Sequence, residues 1–221
     1  MRPVEQLLDS VGTGWAIVSE WITQATQPIE ILPANGSDAK QALWQTQVTT
    51  RSPMGAIIYE TGGLLVDHGW LRILGSGHRR LPRSLPAWNK GKAFREFGDT
   101  SQFLLIADDA VGGFFLLNGG GLGDDIGSVY YLAPNSLNYE PLKLTYSQFI
   151  QFAFIGNLAK FYEGMRWESW QIDAKELKGD EVFSFYPPLW TREGRNIEDV
   201  TRKAVPIAEQ YKLNLELRKQ F

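Results

Sequence analysis

Cysteine is absent from this 221-residue chain, and histidine occurs only twice. The lack of cysteine excludes disulfides, thiolate metal sites and a cysteine nucleophile, and it suits a reducing compartment. Neither His68 nor His78 has the spacing of an HExxH helix or of another histidine metal site. We therefore expect no metal and no cofactor, and no motif designates a catalytic residue.

Long apolar runs are also missing. The longest unbroken ones, at 114–117 and 152–155, fall far short of the ~18 residues that a transmembrane helix needs. The first residues carry Arg2, Glu5 and Asp9 where a signal peptide would have an apolar segment. These features predict a cytoplasmic protein that does not use a membrane as a partner.

Positive charge is not in excess. The chain has 22 Lys and Arg against 25 Asp and Glu, a net charge of −3, so bulk attraction to nucleic acid is not expected. A short basic stretch contains Arg79, Arg80 and Arg83, but leucines and prolines interrupt it. We expect it to be a solvated loop and not a phosphate-binding patch.

The composition is that of a globular protein rich in aromatic rings. Hydrophobic residues make up 43% of the chain, charged residues 21% and aromatic residues 13%, and this aromatic content favours a binding face. A chain of this length can bury one substantial core. We predict a single domain over 1–221, with an N-terminal helical segment (1–50), a sheet-containing core (54–156) and a C-terminal extension (157–221).

The spacing of apolar residues predicts the elements. Helical spacing predicts helices within 3–26, with a break at 12–14, and Ser37 is predicted to cap a helix that runs to about Gln47. Apolar runs bounded by turn residues predict strands over 56–59, 64–66, 70–74, 103–107, 114–117 and 129–132.

The rest of the chain is less regular. Residues 75–101 are predicted to be a long loop, which in a compact domain is functional or mobile. Thr145 followed by Gln148 predicts a capping box that opens a buried helix. Further predictions are a helical stretch over 157–173, weakened at Gly164, a short helix over 197–203 and an extended piece over 205–207. Together the elements predict an α+β fold with a central twisted antiparallel sheet packed with helices.

The central block resembles a known superfamily. The resemblance rests on a strand that ends in Asp108-Asp109, a Gly112-Gly113 turn, the glycine run 119–121, the Val-Tyr strand 129–132 and the helix that begins after Thr145. These features resemble the SUKH superfamily, the fold of the fungal Smi/Knr cell-wall regulators and of many bacterial toxin-immunity proteins.

Over its whole length the chain looks like a bacterial family of unknown function that forms a distant branch of that superfamily. The residues that carry this wider resemblance are 161–163, 166–167, 186–190 and 205–207. The resemblance implies a SUKH-like core with N-terminal and C-terminal extensions. It also implies a protein partner, such as a toxin in the immunity manner.

The glycine-rich stretch 119–125 admits two interpretations. Bare glycine amides can approach a phosphate, but a P-loop ends in Lys and Ser or Thr, whereas this stretch ends in the carboxylates of Asp124 and Asp125. We therefore predict a flexible hairpin loop. A cation held by these two carboxylates is the remaining alternative, although the spacing of an EF-hand is missing.

Paired carboxylates raise a catalytic alternative. Asp108 and Asp109 lie where a strand meets a turn, and they could face Asp124 or Asp125 across the hairpin as the two carboxylates of a glycosidase-like site. Aspartate is also common in turns because its side chain accepts hydrogen bonds from local amides. We favour the turn role.

An aromatic stretch supplies candidate interaction residues. On a helix, Tyr162, Arg166 and Trp170 would lie at i, i+4 and i+8, which places the guanidinium between two rings. Such a stripe serves either internal packing or partner binding, since Trp, Tyr and Arg dominate interface hot spots. The full set of candidate interaction residues is Tyr162, Arg166, Trp170, Asp124, Asp125 and Trp190.

Two functions follow from these observations. The first is a non-enzymatic protein-interaction module that binds a toxin, another protein or a second copy of itself as a homodimer. The alternative is a hydrolase of small molecules or carbohydrates that uses the paired carboxylates of the central hairpin. We favour the first, because an enzyme of this size is expected to offer a recognisable set of acid, base and nucleophile.

Overall fold

The computed structural model describes residues 1–9 and 14–220 and contains one large sheet and one small one. The seven strands of the large sheet are all antiparallel and lie side by side in chain order. They are β1 (Ile29–Pro33), β2 (Thr61–Val66), β3 (Leu71–Leu74), β4 (Phe103–Asp109), β5 (Phe114–Asn118), β6 (Ser128–Leu132) and β7 (Tyr139–Thr145).

Helices flank this sheet, and a second sheet follows it. The helices are α1 (Gly14–Thr23), α2 (Gly36–Thr46), α3 (Pro53–Glu60), α4 (Leu85–Asn89), α5 (Tyr146–Ile155), α6 (Leu158–Phe161), α7 (Trp170–Glu176) and α8 (Ile207–Arg218). The two-stranded sheet pairs β8 (Glu181–Tyr186) with β9 (Thr201–Pro206), and 3-10 turns occupy Val4–Gln6 and Glu193–Arg195. The predicted α+β class with a central antiparallel sheet is confirmed.

The strands predicted at 64–66, 70–74, 103–107, 114–117 and 129–132 are confirmed as parts of β2 to β6. The strand predicted at 56–59 is wrong, because these residues belong to α3. Pro53 occupies the first turn of that helix, and the Ser52 hydroxyl accepts a hydrogen bond from the Gly55 amide at 3.1 Å. A capped helix start with proline in its first turn overrides the strand preference of two isoleucines and a tyrosine.

The N-terminal helices differ from the prediction in their boundaries. Ser37 does not cap α2, because the Asn35 side chain accepts a hydrogen bond from the Ser37 amide at 3.1 Å. The helical segment predicted within 3–26 is confirmed as a 3-10 turn and α1. The predicted break at 12–14 lies largely outside the described residues.

The C-terminal part departs further from the prediction. The helical stretch predicted over 157–173 is two helices, because α6 ends at Phe161 and Gly164 adopts a φ of 78° before α7 begins. The helix predicted over 197–203 is wrong. Its last residues form β9, which pairs with β8 over its whole length, and α8 begins directly after Pro206.

The predicted capping box at the start of α5 is confirmed. The Thr145 hydroxyl accepts from the Gln148 amide at 3.4 Å, and the Gln148 side chain accepts from the Thr145 amide at 2.9 Å. The predicted loop 75–101 is irregular except for the short α4, which the Ser84 side chain caps by accepting from the Ala87 amide.

Both faces of the sheet are covered by other elements. Directly opposed residues of neighbouring strands point to the same side of the sheet, so each face can be described by one row of side chains. One face carries a row of opposed side chains, which is Glu30, Leu65, Arg72, Asp108, Phe114 and Leu132. The C-terminal segments cover this row, and Tyr211 of α8 meets Phe114 with ring centroids 4.8 Å apart. On the other face Phe149 of α5 lies 4.8 Å from Phe115, and α5 contacts α1 and α3.

The two edge strands differ in regularity. At one edge, β1 pairs with β2 and shifts register only at Pro33. At the other, β7 contains Pro141, has Lys143 at a φ of 58° and pairs with β6 through a register shift. The strand β7 is therefore irregular, and Pro141 supplies no amide for strand pairing.

The α2 cap yields a direct test of the observed boundary. We expect Asn35→Ala to lower the free energy of unfolding by about 1 kcal/mol, because the Ser37 amide loses its acceptor. Ser37→Ala is the matched control and should change that free energy by less than about 0.5 kcal/mol, as is usual for an exposed side chain. Urea denaturation measures both, and a larger loss for Ser37→Ala would contradict the assignment of the cap.

Candidate functional site

A cleft of about 800 Å³ lies where the C-terminal extension crosses the sheet near β1 to β3. Its residues come from the end of the sheet, the turn between β2 and β3, the loop before α4 and the segment that links α7 to β8. We refer to this space as the cleft. The lining residues are Pro28, Ile29, Glu30, Leu65, His68, Gly69, Arg72, Arg79, Arg80, Pro82 and residues 174–180.

The turn between β2 and β3 forms one end of the cleft. Asp67, His68 and Gly69 adopt φ values of 51°, 63° and 82°, and the Trp70 amide donates to the Asp67 carbonyl at 3.1 Å. The left-handed conformation costs roughly 1–2 kcal/mol for each residue with a side chain, so contacts elsewhere must hold Asp67 and His68 in place. His68 thus lies in a turn between strands.

Arg166 supplies the main contact that holds this turn. Its guanidinium Nη2 lies 2.6 Å from Asp67 Oδ2, and the Asp67 amide donates to the Pro28 carbonyl at 2.8 Å. The buried ion pair fixes the turn against the segment between α6 and α7. His68 then packs its ring at the edge of Trp170, with centroids 6.0 Å apart.

The candidate residues Tyr162, Arg166 and Trp170 come together although they do not share a helix. The Arg166 guanidinium carbon lies 5.0 Å from the ring centroid of Tyr162, 3.9 Å from that of Trp170 and 4.9 Å from that of Trp70. Tyr162 is only 1% exposed and the Arg166 side chain 13%. These contacts correspond to the internal-packing alternative, and only the half-buried Trp170 reaches the cleft, through His68.

A buried ion cluster lies beneath the floor of the cleft. Arg72 on β3 places Nε and Nη2 each 2.6 Å from Asp108 Oδ1, and Arg83 places Nη1 2.7 Å from Asp108 Oδ2. All three side chains are at most 7% exposed. Burial lowers the pKa of the Arg72 guanidinium, and the Asp108 carboxylate opposes that effect.

The same cluster anchors the far wall of the cleft. Arg72 Nη1 donates to the Glu181 carbonyl at 2.6 Å, and Arg83 Nη2 donates to the Gly179 carbonyl at 2.7 Å. The segment after α7 is thereby fixed to the sheet through its backbone. The prediction that Arg83 belongs to a solvated loop is wrong for this residue, because Asp108 and these carbonyls replace its water, whereas Arg79 and Arg80 are exposed.

Asp109 points to the opposite face of the sheet. Its Oδ1 accepts from the Gly113 amide at 2.8 Å and the Val111 amide at 3.1 Å, and its Oδ2 accepts from the Tyr131 hydroxyl at 2.7 Å. Burial raises the pKa of this carboxyl to about 6, even though the hydrogen bonds from Tyr131 and Gly113 oppose the rise. The turn role was predicted for both aspartates, and these contacts fit it for Asp109, whereas Asp108 pairs with Arg72 and Arg83 instead.

Asp124 and Asp125 lie in the exposed loop at the other end of β5. Asp125 Oδ1 accepts from the Tyr130 hydroxyl at 2.6 Å, and this hydrogen bond lowers the pKa of the carboxyl. Asp108 is paired opposite Phe114 at the start of β5, whereas the loop follows Asn118 at the end of β5. Phe114 and Asn118 are four residues apart, which is about 13 Å along the strand at ~3.3 Å per residue. Glycosidase carboxylates lie within about 9.5 Å of each other, so the predicted hydrolase pair does not form here.

Trp190 lies apart from the other candidates. It borders a separate recess beside Leu137 and Arg218. The six candidate interaction residues therefore occupy three different places, and only the group around Arg166 adjoins the cleft. Among residues 1–9 and 14–220 no group of three or more His, Asp or Glu side chains is placed to hold a metal ion. No helix in these ranges is long and apolar enough to cross a bilayer.

Sequence reasoning missed the floor of the cleft. Arg72 is the one charged residue in the apolar run 70–74, and this position was a signal, because a buried guanidinium requires an acidic partner. The strand-end Asp108 is that partner. Its identity could not be derived without the register of β3 against β4.

The buried ion cluster gives a stability prediction. Asp108→Asn should lower the free energy of unfolding by about 3–5 kcal/mol, because two buried guanidinium groups lose their counter-ion. The control is Glu30→Gln at the exposed ion pair with Arg80, which should cost less than about 1 kcal/mol. Denaturant titration of both variants measures the difference, and equal losses would contradict the structural role of the cluster.

Asp109 gives a pH prediction whose sign follows from its raised pKa. The folded state holds the proton up to about pH 6, whereas the unfolded carboxyl releases it near 3.8, so stability should fall as the pH rises through this window. A rise of two pKa units corresponds to about 3 kcal/mol. We expect the stability of the wild type relative to Asp109→Asn to fall by about this amount between about pH 4 and pH 7, measured by urea denaturation. A pH-independent difference would refute the assignment.

Comparison with known proteins gives a clear family result. Residues 4–210 match the family described as "Protein of unknown function DUF2625". The chain is 44% identical over 221 residues to the uncharacterised protein YbfG of Escherichia coli (strain K12), covering all of this chain and 99% of that protein. It is 41% identical over 221 residues to an uncharacterised protein of Haemophilus influenzae, covering all of this chain and 97% of that protein.

These matches confirm the predicted bacterial family of unknown function. They do not confirm the resemblance to the SUKH superfamily, which stays a prediction. Because the family match spans nearly the whole chain and both relatives align along their full length, the chain belongs to the DUF2625 family.

Proposed function

We propose that the protein is a non-enzymatic protein-interaction module and that its partner binds in the cleft. The observation that carries this proposal is a cleft of about 800 Å³ whose far wall is fixed to the sheet by the buried Arg72, Asp108 and Arg83 cluster. A binding site with fixed walls loses little conformational entropy when a partner binds, so more of the contact energy remains as affinity.

The composition of the cleft supports a macromolecular partner. Its floor and sides contain apolar groups such as Leu65, Pro82 and Leu177, and its rim carries lysine, arginine and glutamate side chains. An apolar centre with a polar rim is the usual anatomy of a protein interface. Trp170 and His68 at one end add aromatic surface of the kind that hot spots use.

The chemistry of the lining supports a non-enzymatic role. No serine, threonine, tyrosine or cysteine is among the lining residues of the described chain, so the cleft offers no hydroxyl or thiol nucleophile. The nearest buried carboxylate, Asp108, is neutralised by two guanidinium groups. Asp109, whose pKa burial raises to about 6, is on the other face of the sheet.

A steric variant tests the proposal whatever the charge of the partner. Leu177→Trp should fill part of the cleft, whereas Ile172→Trp places the same ring on the exposed side of α7, where Ile172 is 63% exposed. Both tagged variants and the wild type are cross-linked in the native cell and recovered proteins are quantified by mass spectrometry. We expect the recovered amount of at least one protein to fall about tenfold with Leu177→Trp and to be unchanged with Ile172→Trp. A tenfold loss of affinity corresponds to about 1.4 kcal/mol of binding free energy.

Thermal denaturation of both variants shows whether each folds. The proposal fails if both variants are folded and every protein recovered with the wild type is recovered equally with Leu177→Trp. It also fails if the two variants lose the same proteins, because the loss would then follow from the exposed tryptophan and not from the cleft.

A further inference from the structure

We infer that the cleft selects a carboxylate-rich, extended segment of the partner protein, with His68, Arg79 and Lys175 as the recognising side chains. The inference rests on the proposed function, because it names the chemistry of the segment that enters the same cleft. It is carried by the charges of the lining, by the strained position of His68 and by the adjacent edge strand.

The charge of the lining is opposite in sign to that of the chain. The lining contains five Lys and Arg residues against three Asp and Glu, an excess of two positive charges, whereas the whole chain has 22 against 25. Arg72 is already counted in the lining, so adding Arg83 and Asp108 beneath the floor leaves this excess at two. A buried excess charge is screened less than an exposed one.

Two of the lining cations have no acidic partner among the described residues. Arg80 pairs with Glu30 and Lys178 pairs with Glu181, whereas Arg79 and Lys175 form no ion pair within residues 1–9 and 14–220. Arg79 belongs to the loop before α4 and Lys175 belongs to α7, so the two cations stand on different walls of the cleft. An anionic segment that entered between these walls would meet both charges.

His68 adds a directional hydrogen-bonding group to the lining. Its backbone has a left-handed φ of 63°, its ring is held at the edge of Trp170, and neither ring nitrogen has a hydrogen-bond partner in the described part of the chain. A strained residue that the surroundings hold in one orientation is typical of a binding site. An imidazole N–H is a suitable donor to a carboxylate oxygen.

The geometry favours an extended peptide over a compact anion. The cations are on long side chains spread over opposite walls, and no helix N-terminus or glycine nest of the kind that cradles phosphate is among the lining residues of the described chain. The edge strand β1 borders the cleft through Ile29 and Glu30, and Pro28 directly precedes it. Its free side can pair with the backbone of an extended segment while carboxylates reach the cations.

The two histidines make the inference directly measurable. A hexaglutamate peptide is titrated into the full chain while the ring signals of both histidines are followed by NMR. We expect a saturable shift of the His68 signals that is larger than the shift of His78, which adjoins Arg79 but does not line the cleft. The shift should weaken as salt is added, because the recognising cations are exposed.

Charge variants identify the residues that recognise the peptide. Arg79→Glu combined with Lys175→Glu should weaken hexaglutamate binding at least tenfold. The matched control is Lys40→Glu, which reverses an exposed lysine of α2 that does not line the cleft and should leave binding unchanged. Circular dichroism of each variant shows that its fold is retained.

Several results would overturn the inference. They are the absence of a His68 shift at millimolar peptide, an equal saturable shift with inorganic phosphate, and equal weakening by Lys40→Glu. A concentration-dependent dimer in sedimentation that Arg79→Glu/Lys175→Glu dissociates would assign the cleft to a second copy and would also overturn it.

Failure of the inference is distinguishable from failure of the proposed function. If Leu177→Trp removes a cellular protein but Arg79→Glu/Lys175→Glu does not, the cleft binds a partner that is not anionic, and the inference alone falls. If Leu177→Trp removes no protein, the proposed function falls, whatever hexaglutamate does.

Discussion

The buried salt bridge that one carboxylate makes with two guanidinium groups is the constraint on which the cleft depends. Asp108 receives Arg72 from the neighbouring strand and Arg83 from the loop before α4, and both arginines also hold backbone carbonyls of the C-terminal segment. Moving three charges out of water is costly, and the cost is met only if every donor is satisfied. The backbone carbonyls after α7 accept the guanidinium hydrogen bonds that Asp108 leaves unmet, so the C-terminal extension helps to stabilise the buried charges.

Another arginine, Arg166, anchors the C-terminal extension at the turn after β2. Arg166 lies among the rings of Trp70, Tyr162 and Trp170 and pairs with Asp67, which ties the segment between α6 and α7 to the turn after β2. Two arginine-based anchors thus hold the C-terminal extension at both ends of the cleft. Arg72 of the first anchor also forms part of the floor of the cleft.

The predictable part of the fold is the part encoded by neighbours in sequence. Strands β4 to β6 and the capping box at Thr145 follow from local patterns, and the structure confirms them. The strand predicted at 56–59 failed because Ser52 and Pro53 begin a helix that the apolar run only continues. Residues 201–206 became a strand because a pairing partner, β8, was available in space.

The candidate site was not predictable from the sequence, because its contacts join residues that are far apart in the chain. Arg72 and Glu181 are 109 residues apart in sequence, and Arg83 and Gly179 are 96 residues apart, so no local window contains the cleft. Helical spacing pointed to the contact of Arg166 with Tyr162 and Trp170, but the three residues meet without sharing a helix. The ion pair of Arg166 with Asp67, 99 residues away, required the tertiary structure.

The irregular edge strand β7 has a consequence for how the protein behaves at high concentration. Sheets polymerise when each molecule offers two open edges, one to receive a strand and one to pass the pairing on. Here Pro141 and the left-handed Lys143 disrupt one of them. A strand that added to β1 would therefore end the assembly instead of extending it, because the next open edge, at β7, is disrupted.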